Sequence, residues 1–237
     1  MLLLITGMIR VSGQTATEIE KAAKACKPVF LVAYNQNGAD ADKAFTIAGE
    51  AQKTLKAAST VIKMNAADAS NAALVTKYRM AGAPLPLILV LDKNGIVAGG
   101  LQLKDATAAK LIDMIPTPKT SELLKAMGEG KSVYVVAYKA GMPDQKNIMD
   151  NCTMACGKMD NKSIAVKVDM DDKRETKLLQ TLKCDMSAKE PVTYVVNPTG
   201  QVIGTHSGIT DVNTLVSSLK KAPAGSCCPG GSKSGCK

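Results

Sequence analysis

Three of the seven cysteines in this 237-residue chain stand where nothing can bury them. After Pro223 the sequence runs Ala-Gly-Ser-Cys227-Cys228-Pro-Gly-Gly-Ser-Lys-Ser-Gly-Cys236-Lys, which has the composition of a flexible linker and no large apolar side chain to pack. Exposed thiols oxidise readily, so three of them in such a segment point to a chemical use. Vicinal Cys227 and Cys228 are poorly placed for a disulfide with each other, whereas the glycines let Cys236 fold back onto either. A cluster of two or three thiolates selects soft ions, with Cu(I) or Zn as the metals to expect. A closed tetrahedral zinc site needs a fourth ligand, and Cys184 is the candidate for it. The same dithiol, if mobile, could instead exchange electrons with a partner protein.

The remaining cysteines read differently. Cys152 and Cys156 are spaced i, i+4 and share an apolar helical stripe with Ile148, Met149 and Met159. That spacing suits a metal, but it also describes a core face, and burial is the expectation here. Cys26, alone before an apolar run, is expected to be a small buried residue. Cys184 follows a helical segment shortly before Pro191. His206 is the only histidine, so no site of two imidazoles exists, and it is expected on the surface beside a turn. The methionines of the second half, Met142, Met149, Met154, Met159, Met170 and Met186, are expected to fill core gaps in a chain with only 3% aromatic residues.

The elements that must position these groups occur twice. Val29-Phe-Leu-Val-Ala-Tyr34 returns as Val133-Tyr-Val-Val-Ala-Tyr138, each a continuous apolar strand. Val61-Ile-Lys-Met-Asn65 answers to Ala165-Val-Lys-Val-Asp169, each leading to an acidic helix start at Asp68 or at Asp171 and Asp172. Pro86 with the strand to Asp92-Lys-Asn-Gly95, and Pro191 with the strand to Asn197-Pro-Thr-Gly200, are matching strand and hairpin-turn modules. Each unit reads helix, strand, helix, strand, helix, proline, strand, turn, strand, helix, which implies an α/β fold with a mixed central sheet flanked by helices. The Pro116-Thr-Pro118 junction parts the units. The domains are therefore placed at 15–116 and 117–222, after a segment 1–14 and before the tail 223–237.

This twice-repeated order resembles the thioredoxin superfamily over roughly residues 15–222, as two tandem thioredoxin-like domains with a flexible cysteine-bearing C-terminal tail. The resemblance implies a cis peptide bond at Pro86 and at Pro191. It also locates the usual Cys-x-x-Cys, which would occupy Asn37-Gly-Ala-Asp40 in the first unit and Gly141-Met-Pro-Asp144 in the second. Neither stretch contains sulfur. Asp40 and Asp144 are expected as helix caps. Thiol-disulfide exchange through the domain bodies is thereby excluded, and a thiol-disulfide oxidoreductase reading survives only through the tail.

The formal charge of +9 comes almost wholly from lysines scattered along helical segments, with Arg only at 10, 79 and 174. Without arginine forks or aromatic platforms this pattern does not favour nucleic acid, and it suits acidic or polypeptide partners instead. The apolar run Met1–Ile9 is too short to span a bilayer. It lacks a basic start, yet it ends in small residues before Gln14, which suggests a truncated export signal and a periplasmic or extracellular protein. The expected function is an exported thioredoxin-like binding protein whose tail cysteines take a soft metal ion. A redox partner acting through the tail and a non-catalytic polypeptide-binding module are the alternatives.

Overall fold

The structure, a computed structural model, describes residues 13–56 and 58–220. Contacts divide the chain between Lys125 and Ala126. The first unit runs α1 (Gln14–Lys24), β1 (Val29–Tyr34), α2 (Ala39–Thr54), β2 (Thr60–Asn65), a 3-10 turn and α3 (Ala72–Lys77), β3 (Leu87–Leu91), β4 (Val97–Gln102) and α4 (Ala108–Asp113). The same series follows as α5 (Pro118–Gly128), β5 (Ser132–Tyr138), α6 (Gln145–Lys158), β6 (Ser163–Asp169), α7 (Thr176–Thr181), β7 (Val192–Val196), β8 (Val202–Ser207) and α8 (Val212–Lys220). The division falls inside α5, past the sequence-based boundary at 116.

Each unit has one four-stranded sheet, in the orders β2-β1-β3-β4 and β6-β5-β7-β8. In the first, β1 is parallel to β2 and antiparallel to β3, and β3 is antiparallel to β4; the second repeats these pairings. A strand flanked on both edges and covered on both faces is expected to be apolar, which is why β1 and, from Val133 on, β5 are unbroken apolar runs. Alternation then splits β1 between two cores. Val29, Leu31 and Ala33 pack with Ile19 and Ala22 of α1, Met64 of β2 and Leu74 and Tyr78 beyond it. Phe30 and Val32 meet Ala44, Ala48 and Ala51 of α2 and Leu111 of α4. The alanines let α2 approach the sheet closely in a chain poor in large side chains. In the second unit Tyr134, Val136 and Val195 pack against Ile148, Cys152, Ala155 and Cys156 of α6 and Leu215 of α8. Both units have the thioredoxin-like fold.

The hairpin turns show how the repeat keeps geometry while changing residues. Asp92 Oδ1 accepts from the backbone N–H groups of Asn94 (2.8 Å) and Ile96 (2.9 Å). Asn197 Oδ1 accepts from Thr199 (3.0 Å) and Gln201 (2.9 Å) in the same way. Each turn closes on a glycine at positive φ, Gly95 at 73° and Gly200 at 83°, a conformation that costs other residues.

Two expectations are corrected here. The Leu85–Pro86 bond is cis, whereas the bond before Pro191 is trans. Because an X–Pro bond prefers trans by only ~0.5–1 kcal/mol, local backbone demand decides the isomer. Pro191 runs directly into β7, with its carbonyl accepting from the Gly208 N–H at 2.9 Å. Among the methionines, Met170 is core, but Met154 and Met186 are exposed. Met154 lies on α6 between its buried positions, and Met186 lies in the loop before β7, where no core face reaches them.

Candidate functional site

The positions that match the usual active site lie where β1 and β5 hand over to α2 and α6. In the first unit α2 begins at Ala39 with Gly38 as N-cap and no side-chain cap bond. Asp40 is therefore not the cap that was expected. It stands with Asp42 in the first turn, where a carboxylate opposes the positive end of the helix dipole. A cleft of about 460 Å³ opens here between Tyr34, the 35–41 segment, Leu85 and cis-Pro86. Of its lining, Tyr34 is met edge-on at 5.3 Å by the ring of Phe45, which carries the Lys63 ammonium 4.1 Å from its centroid.

The second unit ties the same turn to itself. Gln145 Nε2 donates to the carbonyls of Lys139 (3.0 Å) and Met142 (3.1 Å), and Lys139 Nζ donates to Met186 O at 2.6 Å. Gly141 has φ 81°. Asp144 occupies the N-cap in a left-handed conformation, φ 55°, without a side-chain bond to a helix amide; Asn147 Nδ2 donates to its Oδ1 instead. It too departs from the expected side-chain cap, because a left-handed cap residue swings its carboxylate off the free amides.

Four cysteines lie among the described residues, all as free thiols. Cys26 is exposed, contrary to the buried expectation. It takes the left-handed position just after α1, φ 53°, while the Lys27 N–H donates to Ala22 O at 3.0 Å. That is a helix-ending turn which normally favours glycine, and the repeat does place Gly130 there, φ 74°. Comparison of the repeats holds the signal that reading Cys26 alone missed.

Cys152 and Cys156 are buried, as the stripe implied. Burial pushes the Cys152 thiol up to about 11 and raises Cys156 as well, so neither is a ready nucleophile. Cys184 is half-buried beside Tyr194, whose phenol is raised first by burial and then by that thiol. The loop carrying Cys184 is held near the end of β5 by the Lys139–Met186 bond. It borders a second cleft, of about 830 Å³, lined by Leu182, Lys189, Glu190, Val192, Tyr194 and Val202 among others, which sequence reasoning did not find. In the first unit the residue matching Leu182 is Tyr78, which extends its hydroxyl to Gly95 O at 3.3 Å. His206 belongs to β8 and is half-buried, with Nε2 2.9 Å from Ser218 Oγ, rather than lying on a surface turn. Its strand position gives it a core-facing side that the turn placement missed.

Cys227, Cys228 and Cys236 lie outside the described residues, as does the apolar run Met1–Ile9. Among the described residues no group of three or more His, Cys, Asp or Glu side chains converges to hold a metal ion. None of their helices is long and apolar enough to cross a membrane.

No family model and no curated protein sequence matches the chain. Solved structures similar to it are thioredoxin-like. The zinc-bound form of human ERp44 is 10% identical, with 90% of this chain and 60% of that one covered and a TM-score of 0.36. The first two thioredoxin domains of Saccharomyces cerevisiae Eps1p are 11% identical over 87% and 95% of the respective chains, with a TM-score of 0.31. A thioredoxin-like protein from Clostridium perfringens is 12% identical over 38% and 70%, with a TM-score of 0.34. At such scores the fold assignment stands on the strand orders and pairings given above.

Proposed function

We propose that this chain is a thioredoxin-like binding protein whose domain bodies hold a ligand without exchanging disulfides. The observation that carries the reading is the first unit's cleft, which keeps the helix start and cis-Pro86 of the usual site but presents Asn37-Gly-Ala-Asp40 instead of sulfur. A nucleophile cannot be supplied by the second unit's turn either, and its two buried thiols stay protonated near neutral pH. What remains is an open polar and aromatic cleft suited to an extended polypeptide. Soft-ion capture by Cys227, Cys228 and Cys236, with Cys184 as a further ligand, and export, read from Met1–Ile9, are parts of the proposal that rest on sequence.

The test pairs two assays. In insulin reduction by dithiothreitol the protein is expected to add nothing to the background rate, and catalysis surviving removal of residues 223–237 would overturn the redox-inactive reading. In the second assay a reduced, carboxymethylated polypeptide is titrated into the wild type and Gly38→Phe. Gly38 lines the cleft and a Cβ there meets no atom within 4 Å, so the position has room for a side chain, and far-UV circular dichroism checks that the variant folds. Binding is expected to weaken about tenfold or more, and equal binding would move the ligand elsewhere.

A further inference from the structure

The two units differ at one buried place in a way that packing does not require. Where α2 faces its sheet, the first unit has Ala48, Gln52 and, on β3, Ile88. The matching positions in the second unit are Cys152, Cys156 and, on β7, Thr193. Cys152 and Thr193 are essentially inaccessible, and Cys156 is nearly so. The Thr193 hydroxyl faces the Cys152 thiol and the Ser163 hydroxyl faces Cys156, yet neither approach is close and aligned enough to complete a hydrogen bond. Ser163 has a counterpart in Ser59, whose hydroxyl is also unpartnered. The weight therefore falls on Thr193, which puts an unused donor where the other unit has an apolar side chain. A buried hydroxyl without a partner is unfavourable, so its presence beside a thiol calls for an acceptor stronger than S–H.

We propose that Cys152 and Cys156 form a buried two-thiolate site for one Cu(I) ion, with Thr193 and Ser163 donating to the sulfurs. The balance is two thiols plus Cu(I) giving a bis-thiolate complex and two protons released to solvent; nothing is oxidised or reduced. Positions i and i+4 on a helix hold their Cβ atoms ~5–6 Å apart. That is too wide for the ~3.5–4.5 Å of a disulfide, so oxidation does not close this pair. It suits an ion bridging linearly through two bonds close to the ~2.3 Å that zinc makes to thiolate sulfur. Both thiols also act on the same buried phenol, that of Tyr134, and both belong to the core cluster around it. Ligand number selects the ion. With no third His, Cys, Asp or Glu side chain grouped there among the described residues, zinc lacks its tetrahedral set, whereas Cu(I) is content with two soft ligands. The anionic complex is then stabilised by the two hydroxyl donors, whose hydrogen bonds to charged sulfur are stronger than any they could make to a thiol.

The experiment is an anaerobic Cu(I) titration against a colorimetric Cu(I) chelator, using full-length wild type, Cys152→Ala/Cys156→Gln, and a variant with Cys227, Cys228 and Cys236 changed to Ser. Alanine and glutamine stand at the matching positions of the first unit, so the double variant is expected to fold, and its far-UV circular dichroism checks this. The double variant is expected to lose one equivalent of Cu(I) relative to the wild type, and the tail variant to retain that equivalent. As a second measurement, Cu(I) loading should slow alkylation of Cys152 and Cys156 in mild urea at least tenfold, read by peptide mass. Equal stoichiometry in wild type and double variant, or unchanged alkylation, overturns the proposal and leaves the tail and cleft readings to their own tests.

Discussion

Replacing Asp92 by Ala or by Asn tests whether the repeat's turns are held by one acceptor oxygen rather than by charge. Asp92 is 1% exposed and uses both carboxylate oxygens: Oδ1 for the N–H groups of Asn94 and Ile96, Oδ2 for Asn94 Nδ2 at 2.9 Å. Alanine removes all three bonds and leaves the half-buried Ile96 N–H without its side-chain acceptor, while water can reach the exposed Asn94. Hydrogen bonds to a charged group are worth ~1.5–3 kcal/mol and stranded donors cost ~1–3, so the loss should be about 2–4 kcal/mol in the first unit. With an m-value of roughly 1.5 kcal/mol/M, the urea midpoint falls by about 1.3–2.7 M. Asparagine keeps Oδ1 for both backbone N–H groups, as Asn197 does in the second unit, while its Nδ2 cannot accept from Asn94 Nδ2 and that exposed side chain turns to water. Its cost should stay under about 1 kcal/mol. Hydrogen exchange in urea, followed by mass on peptides covering Phe30–Tyr34 and Tyr134–Tyr138, reads each unit separately. Equal losses for Ala and Asn, or a loss shared by both units, would refute the reasoning.

Two further outcomes are expected. Cys26→Gly should stabilise the first unit by ~0.5–1 kcal/mol, because glycine takes the left-handed φ of 53° without penalty, as Gly130 does in the repeat; a lower urea midpoint would contradict this. The second unit should lose stability as pH rises from about 9 to about 11. The folded Cys152 thiol is held protonated up to about 11 while the unfolded one ionises near 9.0, so the contribution is complete below 9 and disappears above 11. The slope approaches ~1.4 kcal/mol per pH unit, and Cys152→Ala should flatten it; an identical pH profile in the variant would remove burial of this thiol as the cause.

Much of the architecture was legible because it depends on patterns that single residues cannot disguise. Unbroken apolar runs at Val29–Tyr34 and Val133–Tyr138, short, rich in valine and bounded by turn residues, are the pattern of strands covered on both faces, and their recurrence with the turn modules fixed the order of elements. What escaped depends on smaller free-energy differences or on space. The isomer at Pro191 turns on about 1 kcal/mol and on how the chain enters β7. Asp40 and Asp144 have capping side chains, but backbone conformation at Gly38 and at Asp144 itself withholds the cap geometry. The cleft beside Leu182 lies where the first unit has Tyr78 reaching to Gly95, a difference in space that no local pattern carries. The cysteine tail, the most suggestive stretch of the sequence, lies outside the described residues.

The repeat also supplies a control that a single domain lacks. Where matched positions differ in type but do the same work, as Asp92 and Asn197 do, the difference is explained by the shared hydrogen bonds and needs no function. Cys26 and Gly130 belong to the same class, since both satisfy one helix-ending conformation, one of them at a small cost. The set Cys152, Cys156 and Thr193 does not. Ala48, Gln52 and Ile88 show that this fold closes over the position without thiols and without a hydroxyl on β3, with Gln52 Nε2 donating to Ser59 O at 3.0 Å, although the Ser59 hydroxyl is as unpartnered as that of Ser163. Packing alone therefore gives no reason for two cysteines and a threonine there, and the hydroxyl at Thr193 works against stability until something supplies an acceptor. That asymmetry separates the α6 face of the second unit from the sulfur-free cleft of the first, so the two units are expected to bind different things.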